Sequence, residues 1–283
     1  MNNKIILLAL AISITQYSYG DQKELIISTS HKKQLEFNNY DNKYGGWSTI
    51  EYRNEFSNFK IYSLPSKEEL NNGKVVAISD PTLISQDRNF LILQRTTGDE
   101  ITDDEGNEVI SSQTYCDVIS LKSGCIDNLG STMQCDGAWK DNLWVTSSGE
   151  VFDPSERKNP PKQLLQSTVK ITNQQNKSSA LVDALFMGAN SYMACFPPQD
   201  NIANYNDIAF FLANGGEHLL AMEFYKRLLS FASDRIPLQL NTADSLWALG
   251  QHDEAKLYYR NYYNLMIKKN IKTKIPSRVL ERI

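Results

Sequence analysis

The stretch NDIAFFLANGGEHLLAMEFYKRLL, beginning at Asn206, returns as LNTADSLWALGQHDEAKLYYRNYY from Leu240. Ala209 matches Ala243, Leu212 matches Leu246, Gly216 matches Gly250, His218 matches His252, Ala221 matches Ala255 and Tyr225 matches Tyr259, each pair 34 residues apart. A chain that repeats itself at such a spacing builds one small unit twice and stacks the copies, because a single unit cannot bury its own apolar face. Within each copy the glycine suits a tight turn between antiparallel helices. The alanine is small where the paired helix crosses closely, and the tyrosine fills the space one turn further on. Residues 201–283 are therefore expected to be helical.

The period, and the segment LGQHDEAKLYYRNYYNL from Leu249, resemble the tetratricopeptide family over residues 206–266. Two positions depart from the pattern: Ser233 stands where the family's proline follows the second helix, and Thr242 where a large apolar residue is usual. The resemblance implies a scaffold for protein binding whose inner face comes from the first helix of each repeat. Here that face would carry Asn206, Phe210 and Ala213, then Leu240, Asp244 and Trp247. Phe210 and Trp247 then serve either as an aromatic hot spot for a partner or as cover buried against the rest of the chain. Two repeats fall short of the roughly three that stand alone. The pair must lean on the preceding β region, on a helix after Pro276, or on a second chain.

The N-terminus points to export. Residues 1–20 hold one charge, Lys4, an apolar run from Ile5 to Ile14, and small residues Ser18 and Gly20 before Asp21. This is the pattern of a signal peptide cleaved near Gly20, and about ten apolar residues are too few to span a bilayer. The mature protein is expected in the periplasm or outside the cell, with no membrane anchor. Four cysteines, Cys116, Cys125, Cys135 and Cys195, fit two disulfides in such a chain. Cys125 and Cys135 flank IDNLGSTMQ, a loop-like stretch, so they are expected to pair and to leave Cys116 for Cys195. A zinc site would want closer cysteine pairs or a nearby histidine, and none lies between His31 and His218.

Residues 21–160 are expected to form a β-rich domain. Strand-like runs occur at Leu25–Ser28, Trp47–Tyr52, Phe59–Ser63, Val75–Ile78, Phe90–Gln94, Tyr115–Leu121 and Trp139–Val145, with turn signals at Asn72-Gly73, at residues 104–107 and at Asp141-Asn142. A sandwich, a partial barrel and an irregular propeller-like sheet all suit this spacing. Residues 161–200 read as a connecting segment with a short helix near Ser179–Phe186. The fold class is thus α+β, a β-rich domain followed by the helical unit.

Chemistry is sparse. The net charge is −4, which disfavours a general nucleic-acid binder. No zinc-protease, serine-hydrolase or phosphate-loop motif occurs, and His218 and His252 are read as helix-start residues. The acidic insert with Asp103, Asp104 and Glu105 fails the calcium-loop spacing, since Ile101 stands at its first position. It reads either as a solvated hairpin tip or as a surface for a cationic partner. The basic stretch from Lys268 to Arg282 reads as a solvated helix end, with an acidic surface or a phosphate as the alternative target. No metal, cofactor or catalytic residue is expected. The expected function is an exported, non-enzymatic protein-binding protein, in its most concrete form an immunity protein neutralising a toxin delivered to the periplasm. An envelope-assembly or secretion adaptor, and a periplasmic hydrolase with accessory helices, are the alternatives; a carboxylate pair in the β region would favour the hydrolase.

Overall fold

The computed structural model describes residues 14–19, 22–28, 33–42, 44–55, 57–64, 74–76, 83–102 and 105–283. The chain divides into two units: Met1–Tyr62 with Asn71–Glu156, and Ser63–Leu70 with Arg157–Ile283. The first carries antiparallel sheets and the second helices, the α+β layout that the sequence implies.

Among the described residues nine strands make one antiparallel sheet: β1 Ile14–Tyr19, β2 Gln22–Ser28, β3 Gln34–Asp41, β4 Gly46–Arg53, β5 Asn58–Ile61, β6 Lys74–Val76, β7 Phe90–Thr102, β8 Glu108–Ser120 and β9 Ile126–Ser131. Neighbours follow chain order, except that β5 branches off β4. Side chains alternate faces with a period of two, and the register lines apolar ones into rows. Ile27, Leu35 and Tyr52 oppose one another across β2–β4, and Leu25, Phe37, Ile50 and Ile61 form the next row. All seven are buried, each stabilising the sheet by roughly 1.5–3 kcal/mol relative to exposure. β3 has no counterpart among the strand-like runs, because Leu35 and Phe37 are followed by the polar Asn38-Asn39. The end of the expected leader forms β1, paired from Ile14↔Ile27 to Tyr19↔Gln22.

β7 and β8 pair along all 13 residues of each strand, from Phe90↔Ser120 to Thr102↔Glu108. The acidic insert is the far end of this hairpin. Glu105 is exposed at its turn, whereas Asp103 and Asp104, like His31 and the turn at Asn72-Gly73, lie outside the described residues. A second, three-stranded sheet contains β10 Gly137–Lys140, β11 Leu143–Thr146 and β12 Val151–Phe152. The run Trp139–Val145 is folded back on itself at Asp141-Asn142, both left-handed (φ 50° and 63°), as a two-residue hairpin turn requires.

Cys116 is bonded to Cys135, with Cα atoms 5.3 Å apart, which corrects the expected Cys125–Cys135 pairing and hence the Cys116–Cys195 one. The stretch between Cys125 and Cys135, expected to be a loop, is mostly strand β9. β9 carries the chain about 17 Å, at 3.3 Å per residue, away from Cys125 before it turns, farther than a disulfide reaches. The β8–β9 hairpin instead sets Cys116 opposite Gly130, and a 3-10 turn at Thr132–Cys135 folds Cys135 back over it. Cys125 and Cys195 are oxidised too, and no cysteine is free.

The second unit contains α1 Pro161–Thr168, α2 Gln174–Ala184, α3 Ala189–Cys195, α4 Ile202–Asn214, α5 His218–Ala232, α6 Ile236–Ala248, α7 His252–Lys268 and α8 Ser277–Arg282. Helices α4 and α6 are offset from each other by the interval of the sequence repeat at both ends, and α5 and α7 by the same interval at their starts. The matched pairs Ala209/Ala243, Leu212/Leu246, Ala221/Ala255 and Tyr225/Tyr259 are all 0% exposed, so the repeat in sequence is a repeat in core positions. Gly216 and Gly250 both turn with positive φ (97° and 78°), and no atom crowds either. The glycine is required by the backbone angle rather than by space.

The two hairpins are flanked at both ends. The stretch 161–200, read as a connection, carries α1–α3; α1 and α2 pack on α4, and α3 packs on α5. α2 and α4 approach so closely that Ser178 occupies the place a side chain on Gly215 would take. α8, the helix after Pro276, packs on α7 at the other end. The sequence holds weak local signals for α1 and α2: a proline at the first helical position of α1, and Asn173, whose side chain accepts from the Asn176 amide at 3.0 Å to cap α2.

Candidate binding face and buried polar cluster

On α4 the exposed residues are Ala203, Asp207, Phe210 and Asn214, a single stripe at helical spacing. One repeat further along, Pro237, Asn241, Asp244 and Ala248 make the corresponding stripe of α6, of which Pro237 and Ala248 are exposed and the other two half-buried. The repeat therefore aligns surface as well as core. Phe210 is 42% exposed, a large apolar side chain held in solvent by a rigid helix. Asn206, expected on the same face, is buried and accepts from Asn241 Nδ2 at 3.2 Å, tying α4 to α6. Leu240 and Ala213 are half-buried.

Asp244 and Trp247 are engaged by α8. Asp244 Oδ1 accepts from Tyr259 Oη at 2.7 Å and from Arg278 Nε at 2.9 Å, while Oδ2 accepts from Arg278 Nη2 at 2.7 Å. Arg282 Nη1 donates to Tyr259 Oη at 2.7 Å, and its guanidinium lies 4.6 Å above the Trp247 ring. Trp247 is also stacked on His252, with ring centroids 4.2 Å apart. Burial, reinforced by the hydrogen bond to Asp244, pushes the Tyr259 hydroxyl up to about 12, so it stays protonated and donates. Phe210 and Trp247 thus have different surroundings, the first open and the second enclosed by an aromatic and cationic cluster. Sequence reading places Asp244 and Trp247 on this face, but takes Tyr259 for a packing residue and Arg278 and Arg282 for part of a solvated basic stretch. The two arginines sit four residues apart on one helix face, and that spacing is the signal that could have found them. His218 and His252 are the first residues of α5 and α7.

In the β unit the notable group is internal. Arg95 of β7 and Asp117 of β8 are diagonal neighbours on one face, since Arg95 opposes Tyr115 and Leu93 opposes Asp117. Arg95 Nε donates to Asp117 Oδ2 at 2.7 Å, with side-chain exposures of 8% and 0%. Tyr62 Oη also donates to Oδ2 at 2.9 Å, and Asn128 Nδ2 donates to Oδ1 at 2.6 Å. Arg95 lies 4.4 Å over the Tyr115 ring. Burial and the adjacent Asp117 carboxylate push the Tyr62 hydroxyl well above the ordinary tyrosine range. Tyr62 is left-handed at φ 56°, a costly backbone for a bulky residue. The β8–β9 register shifts beside Cys116 and Asp117, and such irregularities re-aim side chains. No motif marks this cluster in the sequence, because a buried arginine and aspartate read as surface charge.

Asp117 and Asp127, the buried carboxylates among the described residues of this unit, do not converge. Asp127 opposes Val118, so it projects from the face opposite to Asp117. Among the described residues no group of three or more His, Cys, Asp or Glu side chains is placed to hold a metal, and no helix is long and apolar enough to cross a membrane. The chain matches no family model and no curated protein.

Proposed function

We propose that this chain is an exported, non-enzymatic protein-binding protein, that its two repeated helical hairpins are a tetratricopeptide-like unit, and that the stripe centred on Phe210 is its contact surface. The observation that carries this reading is the repetition of buried and exposed positions at the same interval in α4–α5 and α6–α7. It leaves an exposed phenylalanine beside Asp207 on a rigid, flanked helix, the composition of an interface anchor with a polar rim. Oxidised cysteines and the leader-like N-terminus support work outside the cytoplasm, with the periplasm as the compartment. The role we favour within this class is immunity, in which the chain sequesters a toxin delivered to the periplasm. The test is capture from periplasmic extract by immobilised wild-type protein and by Phe210→Ala, with equal melting temperatures as the folding control. A partner retained by the wild type and lost by the variant, at a cost of about 2 kcal/mol or more, supports the reading. Turnover of a peptide, glycan or ester by the purified protein alone rejects the non-enzymatic class.

A further inference from the structure

α8 is held in an unusual way. It has six residues, no side-chain cap at its N-terminus, and one buried side chain, Val279. A helix this short has little stability of its own, so its position depends on what it touches. The polar contacts that fix it come from two arginines one helical turn apart. Arg278 forms a two-pronged pair with Asp244, and Arg282 spans the Tyr259 hydroxyl and the Trp247 ring. The arginines remain 42% and 27% exposed and Asp244 31% exposed, and pairs with this much access to water hold only weakly. The residues they grip belong to the body of the second hairpin: Asp244 and Trp247 on α6, Tyr259 on α7. The Tyr259–Asp244 hydrogen bond is made within that hairpin, so the acceptor stays oriented when α8 leaves.

We propose that Asp244, Trp247 and Tyr259 form a receptor for two arginines spaced by one helical turn, that α8 is its resident occupant, and that a partner helix presenting the same arginine pair displaces α8 and docks there. The chemistry selects this occupant. A carboxylate with both oxygens aligned takes a guanidinium two-pronged, and an indole face with a hydroxyl at its rim takes a second one by stacking and one hydrogen bond. Lysine meets neither geometry as well. Asp244 of the site corresponds by repeat to Phe210 of α4. The inference deepens the proposed function and rests on it for the existence of a partner, but the receptor itself is testable without one.

The probe is a synthetic peptide of residues 275–283, titrated into full-length protein carrying Arg278→Ala and Arg282→Ala, with amide and indole NMR shifts of residues 244, 247 and 259 as the readout. Peptide shifts in the double variant should saturate at millimolar concentrations, the range set by a short tether in the intact chain. Wild type, whose own α8 competes at an effective concentration in the same millimolar range, should bind at least about twofold more weakly, and a peptide with both arginines replaced by lysine about tenfold more weakly. Absence of shifts in the folded double variant, or equal binding of the lysine peptide, overturns the receptor. Hydrogen exchange on the wild type gives a second check free of substitutions. α8 amides should exchange by local opening, faster than those of α6 and α7; exchange of α8 only with global unfolding makes it a permanent part of the fold and overturns displacement. Failure of the peptide with continued dependence of partner capture on Phe210 would sink the receptor and leave the proposed function standing.

Discussion

Replacing Asp117 by Asn tests whether the β unit is organised around a buried ion pair. The substitution keeps shape and removes one charge. In the wild type three donors converge on the carboxylate: Arg95 Nε and Tyr62 Oη on Oδ2, and Asn128 Nδ2 on Oδ1. An amide cannot serve them all. With its NH2 in place of Oδ2 it faces the Arg95 donor, and with its NH2 in place of Oδ1 it faces the Asn128 donor. Arg95, itself buried, also loses the charge of Asp117. Breaking a buried pair from one side costs about 3–5 kcal/mol, which for a unit of this size lowers the melting temperature by roughly 10 °C. Three of the four tryptophans, Trp47, Trp139 and Trp144, belong to this unit, so urea unfolding followed by tryptophan fluorescence reports mainly on it. The paired change Arg95→Met with Asp117→Leu should recover only part of the loss: apolar replacements remove both desolvated charges together, but Tyr62 and Asn128 lose the acceptor that Asp117 supplied. A loss below about 1 kcal/mol for Asp117→Asn refutes the reasoning, since a penalty that small belongs to a solvent-exposed pair.

Three further outcomes follow from other parts of the molecule. Non-reducing peptide mapping of exported protein should recover a Cys116–Cys135 link and no free thiol, and a Cys125–Cys135 link would contradict the β9 geometry. In the helical unit, Gly250→Val should destabilise because valine resists a φ of 78°, and Ala255→Leu should cost roughly 1–3 kcal/mol by overpacking a fully buried site; unchanged melting of both counts against the hairpin. Burial raises the Glu223 carboxyl to about 7 against a partial opposing effect from Lys226. The folded state then holds a proton that the unfolded state has released, so stability falls as pH rises from about 4.5 to 7. The ceiling on this loss is about 3 kcal/mol. Glu223→Gln should flatten thermal melts between pH 5 and pH 8, and a slope that survives the substitution assigns the dependence elsewhere.

What the sequence revealed depended on how locally each feature is encoded. The helical hairpins were legible because alanine, glycine and tyrosine recur within and between helices at a fixed interval, and their burial depends on neighbours close in the chain. The β unit was legible as strands and turns, but its register was not, because partners are chosen across the sheet. β3, with two inward apolar residues before Asn38-Asn39, therefore carries no local strand signal, and sequence alone offers Cys135 the nearer Cys125 although the sheet pairs it with Cys116. The candidate site residues divide along the same line. Phe210, Asp244 and Trp247 were found through the repeat. Arg278 and Arg282 looked like a solvated basic tail until α8 brought them onto Asp244 and Trp247. Arg95 and Asp117 carry no local sign of being inside.

The central claim is that the outward stripe of α4 contacts another protein. Site-specific photo-cross-linking in exporting cells tests it most directly, with the photoreactive residue at position 210, and at position 257 as the comparison. Leu257 is 57% exposed on α7, away from the stripe, and so is equally available to non-specific capture. A discrete adduct with one partner is expected from position 210 and none from position 257. Equal labelling from both positions, or no adduct from position 210 in folded protein, would contradict it.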